Sequence, residues 1–128
     1  MPDEITLTFP ADEAFHAVAH LVLGGLAARL DLTVEHLEDL ELAVDTLLER
    51  AGANEVTLLV RVLDGELRTL VGPFASIREE LDHGRSGEAL DLRRILATVC
   101  DGVGILDRDG GQWVELTKRV EQADGSGA

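Results

Sequence analysis

The sequence predicts a single α+β domain, a two-layer sandwich in which helices cover one face of a mostly antiparallel sheet. Two pairs of alternating apolar segments are each joined by an Asp-Gly turn, the usual signature of a β-hairpin. Segments with apolar residues at a 3.6-residue period precede and separate these hairpins and predict helices. Hairpin strands pair antiparallel and amphipathic helices bury their apolar side, which gives the two layers.

The N-terminal part of the chain predicts one strand and two helices. Apolar residues alternate with threonine from Ile5 to Phe9, so this segment is expected to be a strand that ends at Pro10. Asp12 is expected to cap the first helix, Thr33 to cap the second, and Gly52 to stop the second. The apolar positions that set the period of the first helix are Phe15, Val18, Leu21, Val22 and Leu26.

Two adjacent glycines, Gly24 and Gly25, lie inside the first predicted helix. Glycine weakens a helix interior relative to alanine because it loses more backbone freedom on folding. We therefore expect close packing or a kink at this point.

A hairpin follows the second helix. Val56 to Val62 alternates as a strand, Asp64-Gly65 forms the turn, and Leu67 to Val71 returns antiparallel to it. Gly72-Pro73 is expected to break the second strand, because proline cannot donate to a ladder.

The C-terminal part predicts a third main helix and a second hairpin. Ser76 and Glu79 are expected to form the capping box of a short helix that ends by Gly84. The third main helix is predicted over Glu88 to Asp101. Its inward side chains are Leu92, Ile95, Leu96 and Val99. The second hairpin pairs Val103–Leu106 with Gln112–Val120 across Asp109-Gly110-Gly111.

The charge balance excludes several kinds of partner. Of the 128 residues, 25 are acidic and 11 basic, so the net charge is −14, while the hydrophobic share of 45% is normal for a folded domain. This charge repels phosphate backbones and anionic lipids, so we expect no direct binding to nucleic acid or membrane. Cys100 is the single cysteine, which excludes an internal disulfide and a cysteine metal site. No signal peptide is visible, and a cytoplasmic protein is expected.

Three stretches together resemble the anti-sigma factor serine kinases, a bacterial branch of the GHKL ATPase superfamily. They are TFPADEAF near the start, DLELAVDTLLERA on the second helix, and VCDGVGILDRDGGQWVELTKRV near the end. The resemblance implies a Bergerat-type, histidine kinase-like ATPase fold over residues 1–120. Residues 121–128 are small and polar and are expected to form a flexible tail. The resemblance also implies a sigma factor and an antagonist protein as partners, and a homodimer.

The first nucleotide-binding box departs from the family. Members place a catalytic Glu and a magnesium-binding Asn in this box, and those positions fall on Thr46 and Arg50 here. Threonine has no useful basicity at neutral pH, and the cationic guanidinium repels Mg²⁺. In a shifted register, Asp45 and Glu49 would take the two roles, four residues apart on one helix face.

Two further boxes also depart from the family. The loop that carries the adenine-binding aspartate corresponds to LRTLVGPFASIR, which keeps Gly72 and Pro73 but has no acid. The glycines that approach the phosphates correspond to Leu90 and Leu92, whose side chains block close approach of the backbone.

Three other features have both a structural and a functional interpretation. His16 and His20 stand four apart on a helix, a metal-binding spacing, but no third ligand is evident and no metal site is expected. The acidic face of the second helix is either a solvated surface or a surface that steers a basic partner. Trp113 either covers the open face of the sheet or anchors an interface.

The leading hypothesis is a regulatory protein-binding domain of the anti-sigma type that has lost nucleotide binding and kinase activity and needs no cofactor. Two alternatives stay open. One is an active ATP- and Mg²⁺-dependent anti-sigma protein-serine kinase that uses Asp45 and Glu49. The other is a scaffold or small-ligand module that reuses the old nucleotide cleft.

Overall fold

Among the residues that the structure describes, one five-stranded antiparallel sheet packs with three helices whose bounds are given below. A computed structural model describes residues 4–51, 55–78, 81 and 92–119. The strands lie in the order β1-β2-β3-β5-β4. The elements are β1 (Glu4–Pro10), a 3₁₀ turn (Glu13–Phe15), α1 (His16–Leu30), α2 (Val34–Ala51), β2 (Glu55–Leu63), β3 (Glu66–Phe74), α3 (Leu92–Val99), β4 (Gly102–Arg108) and β5 (Gly111–Arg119). The predicted α+β class is therefore confirmed.

Both predicted hairpins form, and both use their Asp-Gly pair as the turn. Asp64 and Gly65 have φ angles of 41° and 80°, and Asp109 and Gly110 have φ angles of 50° and 78°. Two successive residues with positive φ match the right-handed twist of the flanking strands, which is why Asp-Gly is favoured there. The turns set the register of β2 with β3 and of β4 with β5.

Gly72-Pro73 interrupts the pairing of the second strand, as expected, but does not end the strand. Strand β3 runs on to Phe74, the Gly72–Pro73 peptide is cis, and the register with β5 shifts between Val71 and Phe74. The irregularity explains the continuation, because a proline that has no N–H to donate is tolerated where the ladder is already interrupted.

The two predicted caps differ in outcome. The side chain of Thr33 caps α2, since its Oγ1 accepts the backbone N–H of His36 at 3.0 Å. Asp12 makes no side-chain cap; its backbone carbonyl accepts the N–H of Phe15 at 2.8 Å and closes a 3₁₀ turn, so α1 begins only at His16. Gly52, the Glu79 half of the capping box, Gly84 and residues 88–91 of the third helix lie outside the described residues.

The core lies between the helices and one face of the sheet. Leu40, Val44 and Leu47 of α2 pack with Leu58 of β2 and Leu116 of β5, all of them at most 1% exposed. On α3 Leu92, Leu96 and Val99 are buried as predicted, whereas Ile95 is only half-buried. None of the helices in the described part of the chain combines the length and the apolar character that crossing a bilayer requires.

The buried side of α1 differs from the predicted period. Its buried residues are Ala19, Leu23, Leu26 and Ala27, whereas Leu21 is 77% exposed. The reason is that α1 is apolar on all sides, with Arg29 its one Asp, Glu, Lys or Arg residue, so the spacing of its apolar residues does not specify a single face.

Candidate functional site

The helix α2 carries Thr46 and Arg50, the positions where the family resemblance implies a base and a metal ligand. Thr46 is 8% exposed, and its Oγ1 donates a hydrogen bond to the backbone carbonyl of Leu42 at 2.7 Å. The hydroxyl is therefore satisfied within its own helix. Arg50 lies one turn further on, with Nη1 3.8 Å from Oε1 of Glu49.

Asp45, the alternative base, is bound by a histidine from α1. Nε2 of His20 lies 2.9 Å from Oδ1 and 2.8 Å from Oδ2 of Asp45, and Nδ1 of His16 lies 3.9 Å from Oδ1. The carboxylate thus lies in the seam between α1 and α2. The side chain of Glu49, the alternative metal ligand, is 65% exposed.

A cavity of about 170 Å³ lies beside the C-terminal end of α2. Arg50 and Ala51 line one side, and the segment from Pro73 to Ile77 lines the other. The structure therefore places Arg50 and Pro73 in the lining of one cavity. Within the described part of its lining there is one guanidinium and one serine hydroxyl, and no carboxylate.

The other predicted cleft residues lie apart from this cavity. Gly72 is buried on the open face of the sheet, and Leu92 is buried in the core at the start of α3. Leu90 lies outside the described residues.

Gln112 of β5 holds the segment that forms the cavity wall, and the sequence gives no signal for this role. Its Oε1 accepts the backbone N–H groups of Ile77 at 2.8 Å and of Arg78 at 2.9 Å. The guanidinium of Arg78 in turn donates to Asp107 of β4 at 2.9 Å. The cavity wall is thus tied to the second hairpin by contacts between residues about thirty positions apart.

Trp113 covers the open face of the sheet, the first of its two predicted roles. It is 6% exposed, its Nε1 donates to the carbonyl of Arg108 at 3.2 Å, and the Arg108 guanidinium carbon lies 5.1 Å from the ring centre. A Cβ at Gly72 would lie 2.7 Å from Cδ2 of the indole. Glycine is thus required where the ring meets β3.

The acidic face of α2 has partners inside the chain. Lys118 of β5 donates from Nζ to Oδ2 of Asp39 at 2.9 Å and to the carbonyl of Val99 at 2.8 Å. This contact joins α2, the end of α3 and β5. Two carboxylates of this face, Asp39 and Asp45, are therefore bound by side chains of the same chain, Lys118 and His20.

Three further side chains could bind a metal or react as a nucleophile, namely His16, His20 and Cys100. In the part of the chain that the structure describes, no group of three His, Cys, Asp or Glu side chains is placed to hold a metal ion. Burial raises the pKa of the Cys100 thiol to about 11, an effect that the nearby Lys118 partly offsets. The thiol is therefore protonated at neutral pH and is a poor nucleophile.

No known family model matches the chain, and no curated protein matches it. Among solved structures it is similar to the crystal structure of the RsbU and RsbW domains of Rv1364c from Mycobacterium tuberculosis, with a TM-score of 0.67 and 16% sequence identity. The two proteins share a fold. The match covers 92% of this chain and 32% of the other, so the chain spans about a third of its neighbour's length. The α+β fold expected from the sequence is thereby confirmed as one that a known structure shares.

Proposed function

We propose that this protein is a regulatory binding domain of the anti-sigma type that acts without ATP. The observation that carries the proposal is the chemistry at Thr46 and Arg50 within a fold shared with an RsbW-containing structure. The Thr46 hydroxyl donates to its own helix, and Arg50 supplies a positive charge where the family holds a magnesium ion. Neither residue supports phosphoryl transfer.

The cavity beside Arg50 also supports the proposal. At about 170 Å³ it is smaller than the roughly 300–1,000 Å³ of most small-molecule sites. No acidic residue lies between Glu66 and Glu79 in the sequence to accept the amino protons of adenine. The kinase alternative would need Asp45 as its base, and Asp45 is instead hydrogen-bonded to His20.

The partners that we propose are a sigma factor and an antagonist protein of the same cell, with the chain acting in the bacterial cytoplasm as a homodimer. A net charge of −14 favours encounter with a basic protein surface, because complementary potentials raise association rates. The same charge disfavours a nucleic acid or an anionic membrane as the primary partner.

The proposal is tested by mixing the purified full chain with each sigma factor and candidate antagonist from its own genome. We expect a complex with at least one of them on size exclusion, at micromolar affinity or better, equally strong with EDTA and with MgATP. Light scattering on the chain alone reports its oligomeric state. If binding requires MgATP, or if ³²P passes from ATP to a serine of the antagonist, the kinase alternative replaces this proposal.

A small anion in the cavity is a second candidate, favoured by the Arg50 guanidinium in its wall. Inorganic phosphate and acetate are suitable probes because each is small enough for this volume. Saturable binding by calorimetry in the wild type, lost in Arg50→Gln and kept in Arg94→Gln, would support it. The absence of saturable binding in the wild type would contradict it.

A further inference from the structure

The outward side of α1 is apolar from Ala17 to Ala28, and the exposed Arg29 follows it in the last turn. Four of its residues, Ala17, Leu21, Gly25 and Ala28, are exposed and recur every three or four positions, so they lie along one side of the helix. Leu21 is 77% exposed, the highest value among the large apolar side chains of the described residues. A helix that is apolar on all sides is normally covered on all sides.

None of the described residues packs closely against the two glycines in α1. A Cβ at Gly24 or Gly25 would have no atom within 4 Å apart from the helix's own nearby backbone, and neither residue has a positive φ angle. The expected internal close packing is therefore absent around the described residues. Glycine still weakens the helix at both positions. An explanation that remains is the close approach of a backbone from outside the chain.

The neighbouring side of α2 adds an apolar anchor and negative charge. Leu42 is 50% exposed, and it follows Glu41, whose Oε2 lies 3.9 Å from Nδ1 of His20. Leu21 follows His20, so the two leucines flank the seam where α1 meets α2. Glu38 and Glu49 are exposed on the same side of α2 as Leu42, at helical spacing. We call these exposed residues of α1 and α2 the outer face.

We propose that the outer face binds an amphipathic basic helix of a partner protein, with the backbone of that helix closest to α1 at Gly24 and Gly25. Its apolar side would cover Leu21 and Leu42, and its lysines and arginines would face Glu38 and Glu49. Charge selects this occupant over a second copy at the same face, because two such faces would bring the exposed Glu38 and Glu49 of both chains together. The inference rests on the proposed protein-binding function and assigns its surface.

Adding a side chain at Gly25 tests the proposal without removing any contact between described residues. Gly25→Leu places a large side chain in open space, and Gly25→Ala places a small one there. Both variants should fold and should melt about 2–4 °C higher than the wild type, because the helix loses a glycine. Ala97→Leu, an exposed substitution on α3, is the matched control for adding a leucine to a helix surface.

The binding probe is a synthetic helical peptide with leucine and alanine on one side and lysine on the other. We expect calorimetry to show saturable binding to the wild type and to Ala97→Leu, at least tenfold weaker binding to Gly25→Leu, and no binding of a peptide with glutamate in place of lysine. Equal affinity for the wild type and Gly25→Leu overturns the inference. So does a wild-type dimer that Gly25→Leu dissociates while peptide affinity is unchanged, since the face is then a self-interface.

Failure of this inference and failure of the proposed function are distinguishable. If a sigma factor or antagonist binds the wild type and Gly25→Leu equally well, the proposed function is supported. The proposal that the partner binds at the outer face is then contradicted. Peptide binding that depends on Gly25, without a complex with any sigma factor or antagonist, upholds the outer face and contradicts the function.

Discussion

Gly72 and Trp113 meet on the open face of the sheet, and the contact leaves no room for a methyl group. Gly72→Ala would put its Cβ 2.7 Å from the indole and 3.0 Å from the carbonyl oxygen of Gln112. We expect the free energy of unfolding to fall by about 1–3 kcal/mol, as measured by urea denaturation, because the strand and the ring must both shift.

Gly104→Ala on β4 is the matched control for this substitution, since a Cβ at Gly104 has no atom within 4 Å. It should change the free energy of unfolding by less than about 0.5 kcal/mol. Equal destabilisation by the two substitutions would contradict the packing described at Trp113.

Cys100 is expected to be unreactive in the folded chain. Burial raises the pKa of its thiol from 9.0 to about 11, so near pH 8 its thiolate fraction should be about 100-fold below that of the unfolded chain. Reaction with a chromogenic disulfide at pH 8, with and without urea, measures this difference. Equal rates in the two states would contradict it.

The same shift predicts how stability depends on alkaline pH. The pKa is raised in the folded state, so the contribution of the protonated thiol is fully present below about pH 9 and is lost as the pH rises towards 11. The unfolded chain ionises first in that window. Cys100→Ala should therefore show a smaller loss of stability than the wild type between pH 9 and pH 11.

At the scale of elements, Gln112 holds the segment after β3 against β5. Gln112→Ala would leave the N–H groups of Ile77 and Arg78 without their shared acceptor. We expect a loss of about 1–3 kcal/mol in the free energy of unfolding, measured by urea denaturation. Gln112→Glu keeps an acceptor oxygen and should restore most of the stability; equal loss in both variants would contradict this role.

The elements that the sequence predicted correctly are those specified by neighbouring residues. Alternation from Ile5 to Phe9, the Asp64-Gly65 and Asp109-Gly110 turns, and the Thr33 cap each depend on a few consecutive positions. The continuation of β3 past Gly72 was missed because it depends on pairing with β5, which is distant in sequence.

The candidate site was less predictable because its contacts join distant parts of the chain. His20 and Asp45 are 25 residues apart in the sequence, and Gln112 and Ile77 are 35 residues apart. A local sequence motif therefore cannot predict either contact. The exposure of Leu21 was also hidden, since α1 is apolar throughout and any of its sides fits the pattern. The family resemblance alone directed attention to Thr46 and Arg50, which both lie on α2.

For the whole molecule, the excess of carboxylates serves structure and surface charge. Asp39 contacts Lys118 and Asp45 contacts His20, while Glu38 and Glu49 remain exposed on the outer face. A catalytic role would need an acid beside the cavity, and the described lining has none. The proposed binding function would use the part of this charge that is exposed.

Restoring the family residues on α2 should not restore nucleotide binding. Thr46→Glu with Arg50→Asn supplies the base and the metal ligand, but the adenine-binding aspartate is still absent from the loop around Gly72 and Pro73. We expect calorimetry to detect no MgATP binding to this double variant at millimolar concentrations. Measurable affinity for MgATP would show that the loop can still bind adenine.

Nucleotide binding by the wild-type chain distinguishes a protein-binding domain from a kinase most directly. Titration of MgATP into the full chain by calorimetry should give no saturable heat up to millimolar ATP if, as the resemblance implies, Thr46 and Arg50 stand where the family has its base and its metal ligand. Saturable, magnesium-dependent binding at a millimolar Kd or tighter would contradict the claim that this fold now acts by protein binding alone.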